Sequence, residues 1–324
     1  MTSSSSAQGR NGVRHVDVDS GSAGQRIDNF LARELKGVPR SRVHRLLRKG
    51  EVRVNGGRVR SGARLEAGDR VRIPPVSVDA GRRAEGDQPP KGMQERIGAA
   101  VLHEDDRLLV LNKPSGIAVH GGSGVPWGVI ETLRAMRPGT AFLELVHRLD
   151  RETSGCLLVA KRRSTLRTLH EVIRDGALEK RYLALVKGRL PKHPLPVEAR
   201  LDRNARRDGE RTVQVSSAGQ AARSVFRRSE VFHEATLAEV SIATGRTHQI
   251  RVHGAYAGHP VAGDGRYGDQ EWNKTLRKYG LKRLFLHASG LRWKDPDSGA
   301  EHVYHAELPD ELRGILVRLE ESRP

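Results

Sequence analysis

One cysteine in 324 residues, Cys156, excludes an internal disulfide framework. It stands in the apolar run Cys156-Leu-Leu-Val159 and reads as core packing. Aromatic residues make up only 4% of the chain, too few for a binder built mainly on stacked-base platforms. No apolar run approaches the roughly 18 residues of a spanning helix. The opening Met1-Thr-Ser-Ser-Ser-Ser-Ala-Gln-Gly-Arg10 lacks the apolar core of a signal peptide. No His-Glu-x-x-His or paired-cysteine spacing occurs, and His248 and His253, five apart, do not share a helical face as metal ligands. No strand–GxxxxGK[ST]–helix arrangement surrounds the glycine-rich stretch Lys113 to Gly124, which argues against a nucleoside triphosphate loop. A soluble cytoplasmic protein with no metal and no membrane partner is expected.

What the chain has in excess is positive charge. The net charge is +18, with 57 Lys or Arg against 39 Asp or Glu. That balance points to a polyanionic partner, RNA or DNA ahead of an anionic membrane surface. A chain of 324 residues suggests about two or three domains and can bury at least one substantial core. The excess is concentrated near the N-terminus: from Gly24 to Val76, fourteen Lys or Arg face five Asp or Glu, a net +9.

Residues 1 to about 14 are rich in Ser, Gly and Arg and read as a disordered tail. Ile27, Phe30, Leu31 and Leu35 then fall on one helical face, and Gly37-Val-Pro-Arg40 breaks that helix. Ser41 can cap a second helix with Val43, Leu46 and Leu47 inward, and Gly50 ends it. Val52 to Val59 alternates around Asn55-Gly56, a hairpin signal, and Arg70 to Ile73 is a further strand. Residues 79–96 are Gly, Pro and charge rich without periodicity and read as a linker. Beyond it, strands are expected over Arg107–Asn112, Cys156–Val159, Lys180–Val186, Ala235–Ile242 and Arg283–Leu291. Helices are expected over Val129–Arg134, from Ser164 to Ile173, from about Thr247, and over Leu308–Leu316 with Pro309 near its start. Many short strands with no regular strand–helix alternation indicate an α+β domain on a mixed or antiparallel sheet.

Between Val146 and Cys156 lies a polar loop, His147-Arg-Leu-Asp-Arg-Glu-Thr-Ser-Gly155. Its Asp150 stands between Arg148 and Arg151, and nearby opposite charge favours the ionised carboxylate. Such an Asp is a candidate nucleophile or base, although an ordinary surface ion pair would have the same wording.

His147-Arg-Leu-Asp-x-x-Thr-Ser-Gly-x-x-Leu158 resembles the active-site signature of the large-subunit ribosomal RNA pseudouridine synthases. Lys113-Pro-x-Gly-x-x-Val-His120, Lys180-x-Tyr-x-Ala184, Thr244-Gly-Arg-Thr-His-Gln-Ile-Arg-Val-His253 and Leu284-x-Leu-His-Ala288 match further segments of that family, in order. Gln25-Arg-Ile-Asp-Asn-Phe-Leu31 and Ser41-Arg-Val-His-Arg-Leu-Leu-Arg-Lys-Gly-Glu-Val-Arg-Val-Asn-Gly56 resemble an S4-type RNA-binding domain. The resemblance implies an S4-like domain over 15–78 and a catalytic domain over 97–324. It implies isomerisation of uridines in 23S ribosomal RNA to pseudouridine, without cofactor, by a monomer. Asp150 is the implied nucleophile, Arg148 the side chain that helps displace the target base, Tyr182 a pocket residue that stacks on it, and Arg251 the salt-bridge partner of Asp150. His147, Arg246, Leu284 and Leu286 are expected to bind substrate. Arg40, Arg42, Arg45, Arg48 and Lys49, on or beside the second helix, are expected to meet phosphates.

Two other classes fit parts of the pattern. A non-catalytic RNA-binding or ribosome-assembly factor needs the basic module and no chemistry. A hydrolase of an N-glycosidic bond can use the same carboxylate. The basic module has a test of its own. Removing one side chain from a phosphate lowers the slope of log affinity against log salt by about 0.7–0.9. Replacing Arg45 and Arg48 with Ala is therefore expected to flatten the salt dependence of RNA binding; an unchanged slope means that neither side chain meets phosphate.

Overall fold

The computed structural model describes residues 12–35, 38, 40–76, 88–121, 125–203, 206–207 and 210–322. They fall into two compact units, divided between Gln88 and Pro89.

The first unit holds β1 (Arg14–Asp17), α1 (Ile27–Glu34), α2 (Arg40–Lys49), β2 (Arg53–Val54), β3 (Gly57–Arg58) and β4 (Arg70–Ile73). Its strands form an antiparallel sheet in the order β1-β4-β2-β3. Ile27, Phe30 and Leu31 of α1 and Val43, Leu46 and Leu47 of α2 meet Val71 and Ile73 in one core. Asn55 and Gly56 both take positive φ, 49° and 80°, as a two-residue type I′ hairpin turn requires. β1 departs from expectation. Arg14, assigned to the tail, opens a strand whose sequence Arg-His-Val-Asp offers one apolar residue; pairing with β4 creates it, and no hydrophobic alternation announces it. The Ser41 cap falls on a side chain outside those described.

The second unit contains α3 (Lys91–Gly98), β5 (Val101–Glu104), β6 (Leu108–Lys113), α4 (Val129–Met136), β7 (Glu144–Leu145), β8 (Ser154–Ala160), α5 (Arg163–Arg174) and β9 (Glu179–Lys187). There follow β10 (Leu195–Glu198) and four two-residue strands, β11 (Leu201–Asp202), β12 (Arg206–Arg207), β13 (Glu210–Arg211) and β14 (Gln214–Val215). The chain closes with β15 (Arg223–Val231), β16 (Ala235–Ile242), α6 (Gln249–Tyr256), α7 (Gln270–Lys278), β17 (Leu286–Lys294), β18 (Glu301–His305) and α8 (Asp310–Glu321). Residues 91–96, read as linker, belong to α3: Ile97 is fully buried in the main core, with Met93 packed against it. A short helix with two apolar anchors leaves too little periodicity to be read in advance. Residues 79–87 of the expected linker, and 77–78 of the expected first domain, lie outside the described residues.

A ten-stranded sheet organises this unit, in the order β10-β15-β16-β9-β17-β8-β6-β5, with β18 on β17 and β7 on β8. The fold is α+β on a mixed, mainly antiparallel sheet: among the described residues the parallel pairing in it is β8 with β17. Alternation along the strands divides the core. Leu109, Leu111, Leu157, Val159, Ala184 and Val240 pack with α3 and α4. On the opposite side Leu108, Val110, Cys156 and Leu158 pack with α5. Leu185, Leu237 and Phe285 pack against α7 and α8. β8 is buried along all seven residues, which explains its continuous apolar run.

The parallel junction requires Gly155. It has φ 110°, and a Cβ there would fall far inside contact distance of the Ala288 backbone on β17. Gly155→Ala is expected to lower unfolding stability by at least about 1–3 kcal/mol, the usual range for forced overpacking, read as a fall in the denaturation midpoint.

Candidate active site

The loop carrying Asp150 connects β7 to β8 and is fastened from several directions. Lys113, fully buried at the end of β6, donates from Nζ to the carbonyls of Pro114, Ile117 and Arg151, at 2.9, 2.9 and 3.1 Å. Burial pushes its pKa down to about 7, with the Glu152 and Asp150 charges opposing. The Gly116 N–H donates to the Arg151 carbonyl at 2.9 Å, and Arg151 Nε donates to the Gly116 carbonyl at 2.9 Å. Ser115 Oγ donates to the Glu152 carbonyl at 2.7 Å. The loop and the 113–117 turn are thus tied together mainly through backbone groups.

Arg151 is therefore not a counter-ion of Asp150, contrary to the expectation from adjacency. The partners of Asp150 come from the start of α6: Arg251 Nη1 lies 3.4 Å from its Oδ2 as an ion pair, and the His248 ring places Nε2 3.9 Å from the same oxygen. Arg251, 101 positions downstream, does reach Asp150. It is itself held by Asp264, which accepts from Nε at 2.7 Å and from Nη2 at 2.9 Å. Burial opposes ionisation of Asp264, but the Arg251 hydrogen bonds and charge outweigh it and hold the carboxyl below its usual range. Burial likewise works against the Arg251 cation, and Asp264 and then Asp150 more than offset it.

These groups face a cleft lined by Arg148, Asp150, Tyr182, Arg246, His248 and Arg251, with apolar walls from Leu149, Ile242, Ile250 and Leu286. Tyr182, on β9, is 7% exposed; burial and the Asp150 charge raise its hydroxyl pKa, so it stays protonated. Arg148 is exposed beside the carboxylate. Arg246 lines the cleft and donates from Nε to the Ala221 carbonyl at 3.2 Å.

Two residues expected to bind substrate do not line this cleft, although His147 lines the groove beside it. Leu284, which precedes β17, packs in the core and is not among the residues lining the cleft, whereas Leu286 at the start of β17 is. His147 is not among the cleft's lining residues: its Nε2 accepts the Leu158 N–H at 3.2 Å, pinning the loop to β8. Burial and the Lys180 charge push that ring down to a pKa of about 4, which keeps the accepting nitrogen unprotonated. In the first unit, Arg45, Arg48 and Lys49 are exposed on α2 and Arg42 is half-buried; the Arg40 side chain lies outside those described.

Three participants were not singled out from sequence. His248 takes a left-handed backbone, φ 54°, just before α6, which turns its ring to Asp150 while Nδ1 bonds the Tyr267 hydroxyl at 2.8 Å. Burial, helped by Arg251 and Arg266, lowers its pKa against the pull of Asp150 and Asp264. Tyr267 also lies under the Arg251 guanidinium, 5.1 Å from it. Asp264 sits between two glycines and reads as turn punctuation, so nothing in the sequence marks it as a partner of Arg251. Among the described residues no group of three or more His, Cys, Asp or Glu is arranged to hold a metal ion, and no helix is long and apolar enough to cross a membrane.

The fold and the cleft have counterparts among known proteins. The RNA pseudouridylate synthase family model matches residues 107–256, and the S4 domain model residues 25–71. The chain belongs to the RNA pseudouridine synthases, a family of isomerases, and carries an S4 domain at its N-terminal end. It is 52% identical to ribosomal large subunit pseudouridine synthase C of Escherichia coli (strain K12), over 96% of this chain and 98% of that one. The protein of the same name from Haemophilus influenzae is 49% identical, over 96% of each. Among solved structures, human RNA pseudouridylate synthase domain containing 4 matches at 26% identity and a TM-score of 0.59, covering 71% of this chain and 96% of that one.

Removing the Asp264 charge leaves the Arg251 cation buried with one weaker partner. Asp264→Asn is expected to cost about 3–5 kcal/mol, as for other broken buried pairs. The depressed Asp264 pKa adds a pH signature. Its contribution is complete above the unfolded value of about 3.9 and is lost as pH falls through the lower folded value. Acid titration of stability should therefore steepen below about pH 4 in the native chain and less so in Asp264→Asn.

Proposed function

We propose that this chain isomerises specific uridines of 23S, large-subunit, ribosomal RNA to pseudouridine, with Asp150 as nucleophile. The relatives' names support the substrate class, and the S4 domain supports an RNA partner. The observation that carries the reading is the Asp150 carboxylate facing a cleft beside Tyr182, 3.4 Å from Arg251.

In the proposed reaction the N1–C1′ bond breaks, the uracil turns, and a C5–C1′ bond forms. The hydrogen lost from C5 is balanced by one gained at N1, so nothing is added or removed. A uridine in folded RNA must first leave its stack, at a cost of a few kcal/mol. Arg148, exposed at the cleft, enters the vacated place. Tyr182 stacks on the base, and its protonated hydroxyl can hydrogen-bond with it. Asp150 acts through its carboxylate, with Arg251 Nη1 3.4 Å away. Leu149, Ile242, Ile250 and Leu286 exclude water that would otherwise intercept a detached base. Arg42, Arg45, Arg48 and Lys49 hold flanking RNA through phosphates. The proposed setting is the cytoplasm, with a monomer acting without metal or cofactor.

Asp150→Asn keeps the shape of the loop and removes the charge. It is expected to retain RNA affinity and lose at least roughly 10³-fold in pseudouridine formation. Unchanged turnover would refute the role of Asp150. Release of free uracil, with RNA losing the corresponding mass, would identify a glycosidic hydrolase instead. Mapping pseudouridines in ribosomal RNA from cells lacking the protein identifies its target positions; a complete set of large-subunit modifications there rules out the assignment.

A further inference from the structure

A groove adjoins the cleft, sharing Arg148, Tyr182, Ile242, Gly245 and Arg246 with it. It continues past Lys180 into a second groove floored by β9, β15 and β16. Lys180 lines both. It lies two residues before Tyr182 on β9, and alternation puts both side chains on one face, separated by about 7 Å along the strand.

The basic residues around it are engaged. Arg181 pairs with Glu179 at 3.5 Å, Arg223 with Glu198 at 3.1 Å, and Arg227 donates to Ser241 Oγ at 3.0 Å. Lys180 differs. It is 7% exposed, yet no carboxylate or hydrogen-bond acceptor among the described residues pairs with it. Burial lowers its pKa, with no neighbouring charge opposing that shift. Its own charge is felt at His147. The stem is packed away and the ammonium, reached from the groove, is only partly hydrated there, which is costly for a cation without a counter-ion. The groove side is open, and there an anion can supply the partner.

We infer that Lys180 binds a backbone phosphate of the RNA strand beside the extruded uridine, and so sets which nucleotide reaches Asp150. This assignment rests on the proposed function and deepens it. A phosphodiester fits better than a base, since an ammonium acts as a point charge toward phosphate and the strand geometry sets Lys180 about one nucleotide from the ring of Tyr182. Such a contact fixes register and carries no sequence information.

The test uses the full chain carrying Asp150→Asn, so that binding is read without turnover, and a short oligouridylate as the probe. Adding Lys180→Met is expected to reduce the slope of log affinity against log salt by about 0.7, the value for one single-strand phosphate contact. Lys278→Met, exposed on α7, is expected to leave the slope unchanged and serves as the control. An equal slope with and without Lys180 overturns the assignment. A second measurement needs no variant: lysine modification of the native chain, with oligouridylate in one arm and inorganic phosphate at equal phosphate concentration in the other. Protection of Lys180 by oligouridylate alone supports a strand-borne phosphate; no protection, or equal protection in both arms, overturns it. The two ideas fail separately. Loss of turnover in Asp150→Asn with an unchanged slope for Lys180→Met removes the phosphate site alone. Undiminished turnover in Asp150→Asn with a lowered slope removes the nucleophile and retains the site.

Discussion

The candidate site depends on one guanidinium shared unequally between two carboxylates. Asp264 takes Nε and Nη2 of Arg251 in a two-pronged grip, and the remaining Nη1 is left 3.4 Å from Asp150. The tighter pair fixes the arginine and the looser one leaves the Asp150 carboxylate free to face the cleft. An arginine suits this position, because its planar fork can satisfy one carboxylate bidentately and still present a donor to a second. Tyr267 supports the arrangement from below, touching the guanidinium with its ring and His248 with its hydroxyl.

A second constraint sets the loop itself. Asp150 stands on a short connection that enters the all-buried strand β8, so its position is only as precise as what holds the loop. Lys113 ties the loop to the 113–117 turn by donating to the carbonyls of Arg151, Pro114 and Ile117, and His147 receives one hydrogen bond from the backbone of β8. The parallel pairing at Gly155 brings β17 alongside, and with it Leu286 in the cleft wall. The fold therefore converges on the site from five separate stretches of chain: the loop before β8, the strand β9, the end of β16, the start of α6 with the turn before it, and the start of β17. The groove that adjoins the cleft carries further basic side chains, Arg174 and Lys180 among them.

How much of this was legible along the chain varied with the physics of each element. Periodic apolar residues revealed α1, α2, β8 and β16, because burial of one face writes itself into composition. Asn55-Gly56 revealed a hairpin, because few residue pairs tolerate two positive φ values. β1 and α3 escaped, since one carries a single apolar residue and the other two anchors, and each forms by docking on something already built. Charges near in sequence misled. Arg151 adjoins Asp150 along the chain but turns to Gly116 and Glu152.

The order of residues was enough for the fold class, the presence of two modules, the basic character of the first and the identity of Asp150, Tyr182 and Arg251 as members of one cluster. These follow from local patterns and from a specific run of motifs, both of which are written in consecutive residues. Packing in three dimensions was needed to establish that Asp264 anchors Arg251, that His248 joins Asp150, that Leu284 packs in the core, that His147 accepts the Leu158 N–H, and that Lys180 has no protein partner among the described residues. Each of those depends on which groups separated by tens of residues are brought within a few ångströms. Hydrogen bonds and desolvation act across space, and neither leaves a signature in the order of residues along the chain.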